Sequence, residues 1–285
     1  MRRPALVRNS VLALCSAGLI VVAVVSAQKN EPSPCTVAQG PSSLQGVAEA
    51  SGLTLSRRTT GLLWTHNDSG PPVLFALDAT GVRSRVRVSN ATVDDWEDVS
   101  AADCASADCL YIADIGDNNR SRTTITVYRV PEPKPDETDT ASPEVITLAY
   151  PDGAHDAEAM FVTDSGLFII TKDEIGTVYR APLPRPSGGQ LTLQRIGSLG
   201  LSKVTDADIS RDGMLVAVRT NDEVVFYPAG DFARGISSPP RGTRVSLKAL
   251  NEPQGEGVAV GPGGTVYLVS EGSGAGRLTT LRCTL

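Results

Sequence analysis

Two histidines, His66 and His155, are all that this 285-residue chain contains, and that scarcity weighs against a zinc centre, which draws on His and Cys. Familiar catalytic signatures are missing too. The stretch "EGSGAG" (271–276) does not have the G-x-S-x-G order of a nucleophile elbow. "DIGDNN" (114–119) lacks the glycine position and the closing glutamate of an EF-hand loop. There is no P-loop, no H-E-x-x-H and no dinucleotide fingerprint. Helical periodicity is sparse, and the chain has no composition break that would mark a linker between domains.

Positive charge is also in short supply. The first 27 residues hold Arg2, Arg3 and Arg8, an apolar run from Val11 to Val25 and a small-residue cleavage pattern at Val25-Ser26-Ala27. They read as a secretory signal, with an uncleaved anchor as the alternative. The signal contains no acid, so 26 less its 3 arginines leaves 23 basic against 32 acidic residues, a net of −9 for residues 28–285. That balance argues against nucleic acid or an anionic membrane surface as a partner and suits divalent cations. The expectation is a secreted or extracytoplasmic monomer, membrane-anchored only if the signal is retained.

Outside the signal four cysteines remain, Cys35, Cys104, Cys109 and Cys283. An even count in an exported chain points to disulfides rather than metal thiolates. Of the three possible pairings, Cys104 with Cys109 and Cys35 with Cys283 is favoured, the first across a hairpin tip and the second between the two ends.

What the chain does have is a repeat. An acid precedes a short small or apolar strand; a turn follows, then a strand of the type "LYIAD" ending in polar residues, then one or two more strands. Five copies begin near Glu49, Glu97, Glu158, Asp208 and Glu256. Four short strands in each 40–50 residues or so is the signature of propeller blades. The fold expected is an all-β propeller spanning 28–285 as one domain. Five blades are favoured; six is the alternative if residues 44–56 hide a partial blade. The fifth copy lacks its outer strand, and residues 34–39, "PCTVAQ", could supply it and close the ring. The Pro- and acid-rich stretch "PEPKPDETDTASP" (131–143) reads as a mobile loop.

In a propeller the first strand of each blade lines the channel, so the start of strand one and the end of strand two share one mouth. The five leading acids would then form a ring there: Glu49, Glu97, Glu158, Asp208 and Glu256 are the expected metal ligands. Calcium is the expected cofactor, since it accepts 6–8 oxygen donors in loose geometry. Neutralisation by Lys172 and Arg219, which end two of the second strands, is the competing outcome. The same strand ends bring His66, Asp68, Asp114, Asp117 and Glu271 to the mouth. Asp68, Asp114, Asp117 and Glu271 are candidate ligand-binding residues. Lys172, Arg219 and His66 are candidate catalytic residues, for an anionic small molecule or a protein partner beside the cation. For His66 and His155 a structural role is the safer assignment.

"DWEDV" (95–99), "LYIADIGDN" (110–118), "DAEAM", "TDADISRDG" and "QGEGVAV" together resemble a family of exported bacterial β-propeller proteins without assigned activity, over about residues 44–285. More distantly, the acid ring is similar to that of calcium-activated nucleotidases, with five blades, and of β-propeller phytases, with six. That resemblance implies calcium and hydrolysis of phosphate esters or anhydrides, carried by the ring positions alone. The function expected is an extracytoplasmic propeller that binds a divalent cation at an acidic mouth and presents a ligand- or partner-binding face. The alternatives are a calcium-dependent phosphohydrolase and a structural propeller with a salt-bridged ring.

Overall fold

The structure is a computed structural model that describes residues 33–104, 107–183 and 189–285. The expected signal segment lies outside these residues. Among the described residues, twenty-one strands follow one another. β1 spans Cys35–Gln45. The first blade contains β2 (Ala50–Leu55), β3 (Leu63–Asn67), β4 (Val73–Asp78) and β5 (Gly81–Arg87). The second contains β6 (Trp96–Cys104), β7 (Ala107–Asp114), β8 (Ile125–Pro131) and β9 (Glu144–Ala149). β10 (Ala157–Thr163), β11 (Gly166–Thr171) and β12 (Thr177–Ala181) open the third blade, followed by β13 (Leu191–Thr192) and β14 (Gln194–Ser198). The fourth blade is β15 (Val204–Ile209), β16 (Leu215–Thr220), β17 (Glu223–Pro228) and β18 (Thr243–Ser246). The fifth is β19 (Gly255–Val260), β20 (Thr265–Ser270) and β21 (Ala275–Cys283), completed by β1.

This is a five-bladed β-propeller. The innermost strands touch in the order β2, β6, β10, β15, β19 and back to β2. Residues 44–56 hold the end of β1 and all of β2, so no sixth blade hides there. β1 pairs antiparallel with β21, Cys35 stands opposite Cys283, and the two are joined as a disulfide. A crosslink across 248 residues removes loop-closure entropy worth on the order of 5 kcal/mol from the unfolded chain. Cys104 and Cys109 form the second disulfide.

The core follows from this closure. Apolar side chains collect in five clusters, one at each junction between neighbouring blades. Trp64 and Trp96 fill the junction of blades one and two. Phe161, Phe168 and Phe232 stack or meet edge-on between blades three and four. Phe232 sits on a four-residue helix, α1 (Gly230–Ala233). Towards the axis the strands crowd, and small residues become obligatory. A Cβ on Gly52 would lie 2.5 Å from the Asp98 Cα, and one on Gly257 would lie 2.6 Å from the Ser51 carbonyl oxygen.

Two expectations change. The repeat predicts one outer strand, "LTLQRIGSL" (191–199), for the third blade. Instead β13 joins the second blade, parallel to β9, and only β14 completes the third. The segment 131–143 is not free. The Arg87 N–H donates to the Thr138 carbonyl, Arg87 pairs with Asp139, and Glu132 is buried. Its prolines shape an ordered path over blades one and two.

Candidate functional site

The acid end of the channel is built by one backbone irregularity repeated five times. Between strands one and two of every blade the pairing slips, at Ala50/Leu53, Trp96/Asp98, Ala157/Ala159, Val204/Asp206 and Gly255/Val258. A bulge leaves a residue outside the ladder and re-aims its side chain. The residues so placed include Ser51, Glu97, Glu158, Thr205 and Glu256. The bulge positions of the five blades are therefore three glutamates, a serine and a threonine. The hydroxyls turn sideways, Ser51 donating to the Glu97 carbonyl at 2.6 Å and Thr205 to the Glu256 carbonyl at 2.9 Å.

Glu97, Glu158 and Glu256 all act on one cation. The Lys172 ammonium bonds Glu158 Oε1, and Glu256 and Glu97 act on it electrostatically. Lys172 follows β11 directly, and its N–H donates to the Asp156 carbonyl at 3.0 Å. Burial works against its charge, but the three carboxylates outweigh burial and hold its pKa above the ordinary value. The glutamates move upward as well. Burial, then Glu158 and Asp95, drives Glu97 well above the carboxylate range. Burial raises Glu158 against the pull of Lys172, and lifts Glu256 to about 7 although the Gln254 amide donates to it at 2.6 Å. Glu158 is only 4% exposed, and its Oε2 is enclosed without any hydrogen-bond partner. Glu97 Oε1 and Asp95 Oδ2 lean over Gly116, where a Cβ would lie 2.3 and 2.4 Å from them.

A second tier of acid surrounds this centre. Burial and the neighbouring Glu49, Glu271 and Asp95 raise Asp68 to about 6. Glu49 accepts from the Ser69 hydroxyl at 2.5 Å, and Glu271 from Gln254 at 3.0 Å. Asp95 is raised by burial and by Asp156.

The expected residues therefore fall in different places. Glu97, Glu158 and Glu256 converge, with Lys172 among them. Asp68, Glu271 and Glu49 form the rim, Glu49 being two residues short of the bulge in its blade. Asp208 lies three residues past the bulge, within the packed axis. It is fully buried, accepts from Thr54 Oγ1 at 3.2 Å and the Val260 N–H at 2.8 Å, and is raised by burial to about 8. Asp114 faces inward as a scaffold. It accepts from the N–H groups of Asp94 and Asp95, at 3.0 and 3.3 Å, and from Arg122 at 2.8 Å. It thereby fixes the acidic "DDWED" turn. Asp117 closes its own loop by accepting from the N–H groups of Ser121 and Arg122, at 2.9 and 2.7 Å.

Arg219 and His66 are both wholly enclosed. The Arg219 guanidinium donates to the carbonyls of Gly257 and Val269, at 2.6 and 2.8 Å, and to Glu252 at 2.5 Å. It stitches blade four to blade five and has no surface left for a ligand. Its passage needs Gly255, where a Cβ would come within 2.4 Å of it. His66 packs edge-on against Trp96, and burial lowers its pKa to about 4, so it is a neutral packing residue. His155 bonds Asp152 and Tyr179, each at 3.0 Å, away from the three glutamates' own hydrogen bonds.

Sequence reasoning missed the floor of the mouth. Asp98 and Asp206 are both fully buried; Asp98 Oδ2 accepts from the N–H of Met160 in blade three, and Asp206 Oδ2 accepts from the N–H of Leu53 in blade one and of Val258 in blade five. Burial and Asp206 push Asp98 well upward, and burial brings Asp206 to about 7. Through these backbone bonds the two acids tie blade to blade across the axis. The pattern that could have found them is the acid one residue after Glu97 and one after Thr205. Among the described residues no three His, Cys, Asp or Glu side chains are gathered as a preformed metal cluster.

No family model matches the chain, and no curated protein does. Solved structures do. A putative phosphatase from Bacteroides thetaiotaomicron aligns with a TM-score of 0.54 at 10% identity, over 85% of this chain and 73% of that one. An aldose sugar dehydrogenase from Streptomyces coelicolor aligns at 0.53 and 11% identity, over 88% of this chain and 98% of that one. The soluble aldose sugar dehydrogenase from Escherichia coli aligns at 0.52 and 13%, over 88% and 99%. At such identities the likeness is one of fold, and the neighbours are β-propeller proteins.

Proposed function

We propose that the protein is an extracytoplasmic propeller whose acidic mouth takes up a hard divalent cation, calcium in the first instance, and offers that face to a ligand or partner. The observation that carries the reading is the unbalanced centre: three glutamates act on one ammonium, and Glu158 Oε2 is buried with nothing bound to it. With all three carboxylates ionised their charge is −3, of which one ammonium offsets a single unit and a divalent ion offsets two. The donor set is all oxygen, as calcium prefers. Glu97, Glu158 and Glu256 are the residues that would hold the ion, with Asp95 beside Glu97. The two disulfides suit an oxidising compartment.

Around this centre the rim adds Glu49, Asp68, Asp95, Asp156 and Glu271. An anionic ligand would meet repulsion there, and its route to the mouth would be through the bound cation. The phosphohydrolase alternative keeps Lys172 as its only cationic contact among those expected, since Arg219 is enclosed. The test is calorimetric titration of the purified chain from residue 28 with calcium, before and after chelation, alongside Glu158→Gln. Saturable one-site binding that Glu158→Gln weakens at least about tenfold supports the reading. Binding that Glu158→Gln leaves unchanged removes it. Release of phosphate from nucleotides or phytate only with calcium present would bring the hydrolase reading forward.

A further inference from the structure

We propose that Lys172 is a tethered counter-ion, occupying the cation position of the mouth in the ligand-free protein and leaving it when a divalent cation enters. The inference rests on the cation-binding reading and gives Lys172 a part in it: a built-in competitor that sets the affinity.

The geometry separates a fixed partner from a movable one. Glu158 is anchored in the bulge of β10, and its side chain is 6% exposed, whereas that of Lys172 is 31% exposed. Lys172 begins beyond the last residue of β11, its backbone is held by the Asp156 carbonyl, and four methylenes separate that anchor from the ammonium. The side chain can swing to solvent without disturbing the sheet, while the carboxylate cannot follow it. What the ammonium leaves behind is Glu158 with both oxygens free, Glu97 over Gly116 and Glu256 oriented by Gln254, side chains that draw in around an ion on its entry rather than standing as a preformed cluster.

The present contact is also incomplete in a telling way. Lys172 uses one oxygen of Glu158 and leaves the other enclosed and unbonded. A single positive charge does not balance three carboxylates once all are ionised. A divalent ion can engage both oxygens and supply the second charge, so exchange of ammonium for ion improves both accounts. The two cations repel each other at this range, and entry of one requires departure of the other.

The test compares calcium titrations of the wild-type chain with Lys172→Met, which keeps the stem length and removes the charge, and with Lys172→Arg, which keeps the charge. Lys172→Gln replaces the Met variant should the latter fail to fold. The expected result is binding at least about tenfold tighter in Lys172→Met, equivalent to about 1.4 kcal/mol, with Lys172→Arg within about threefold of wild type. Thermal melting gives an independent readout. Lys172→Met should melt lower than wild type without calcium and gain more from calcium than wild type does. Binding in Lys172→Met alone, with none measurable in wild type, supports the proposal most strongly. Calcium binding in wild type that is equal or weaker in Lys172→Met overturns the counter-ion role and leaves the cation reading standing. Absence of binding in every variant, each shown to be folded, overturns both.

Discussion

Glu132 and Glu158 are the same residue type at nearly the same burial, 1% and 4% exposed, on different parts of the propeller. Their surroundings differ completely. Glu132 comes from the connection after β8 and accepts from the Ser56 hydroxyl, the N–H groups of Arg57 and Arg58, at 3.0 and 3.3 Å, and the Trp64 indole N–H at 2.9 Å. Its charge is spread over donors from blade one, and it locks that blade's first hairpin to blade two. Glu158 bonds Lys172 alone and keeps an orphaned oxygen. Burial is therefore no guide to a site by itself. A buried acid whose lone pairs are filled is architecture, and one left half-filled is where a ligand has something to add.

Removing the satisfied acid should do the greatest damage. Glu132→Ala strands four donors in the interface of blades one and two and should cost about 4 kcal/mol by chemical denaturation, while calcium affinity stays as in wild type. A loss below about 1 kcal/mol would show that water replaces the carboxylate and would erase the contrast with Glu158. Arg219→Met comes next. It leaves Glu252 buried without its partner between blades four and five and should cost about 3 kcal/mol. The double variant Arg219→Met with Glu252→Gln should recover part of that loss, because the unpaired charge is gone. An Arg219→Met protein of undiminished stability would reopen the case for a ligand role.

The repeat was legible because it is carried by spacing: five acids at near-regular intervals, each ahead of a small-residue strand, determine blade number and the joining of the two ends. The mouth was only partly legible. Glu97, Glu158 and Glu256 sit at the bulge, but the corresponding positions of blades one and four are Ser51 and Thr205, and the acids that the spacing singled out, Glu49 and Asp208, fall on either side. A bulge shifts register by one residue without leaving a mark in composition, so counting from the blade start cannot find it. Arg219 and Asp206 were hidden for another reason. Arg219 is buried because Gly255 in the neighbouring blade admits its guanidinium, and Asp206 because the backbones of Leu53 and Val258, in two other blades, supply its donors. The segment 131–143 looked mobile because proline and acid mark loops, yet Glu132 within it has buried donors waiting in blade one.

The response to pH should also divide the two regions. Glu256 titrates near 7 in the folded chain against about 4.5 unfolded. A raised carboxyl pKa means that the native state holds the proton more tightly, so its stabilising effect is full below the unfolded value and fades as pH rises towards 7. From this group alone stability should fall by about 2 kcal/mol between pH 5 and 7. Calcium should restore it, and more at pH 8 than at pH 5, since protons no longer compete. The melting temperature as a function of pH, with calcium and with chelator, gives both curves. Parallel curves would mean that the mouth does not exchange protons for the ion.

The smallest effect on stability is expected from Glu158, the acid to which the cation proposal assigns most of the binding. Glu158→Gln keeps the shape, retains an acceptor for Lys172 and removes a charge that burial already disfavours, so stability should change by less than about 1 kcal/mol. Without calcium the variant should equal or exceed wild type at pH 8, where the carboxylate is most costly, and fall level with it at pH 5. The same substitution should weaken calcium binding severely. Glu132→Ala and Glu158→Gln would then be mirror images, one destabilising with binding intact and the other stable with binding lost. A Glu158→Gln protein that loses several kcal/mol would make the mouth glutamate a structural residue like Glu132, and the orphaned oxygen would have to be filled by something that belongs to the fold.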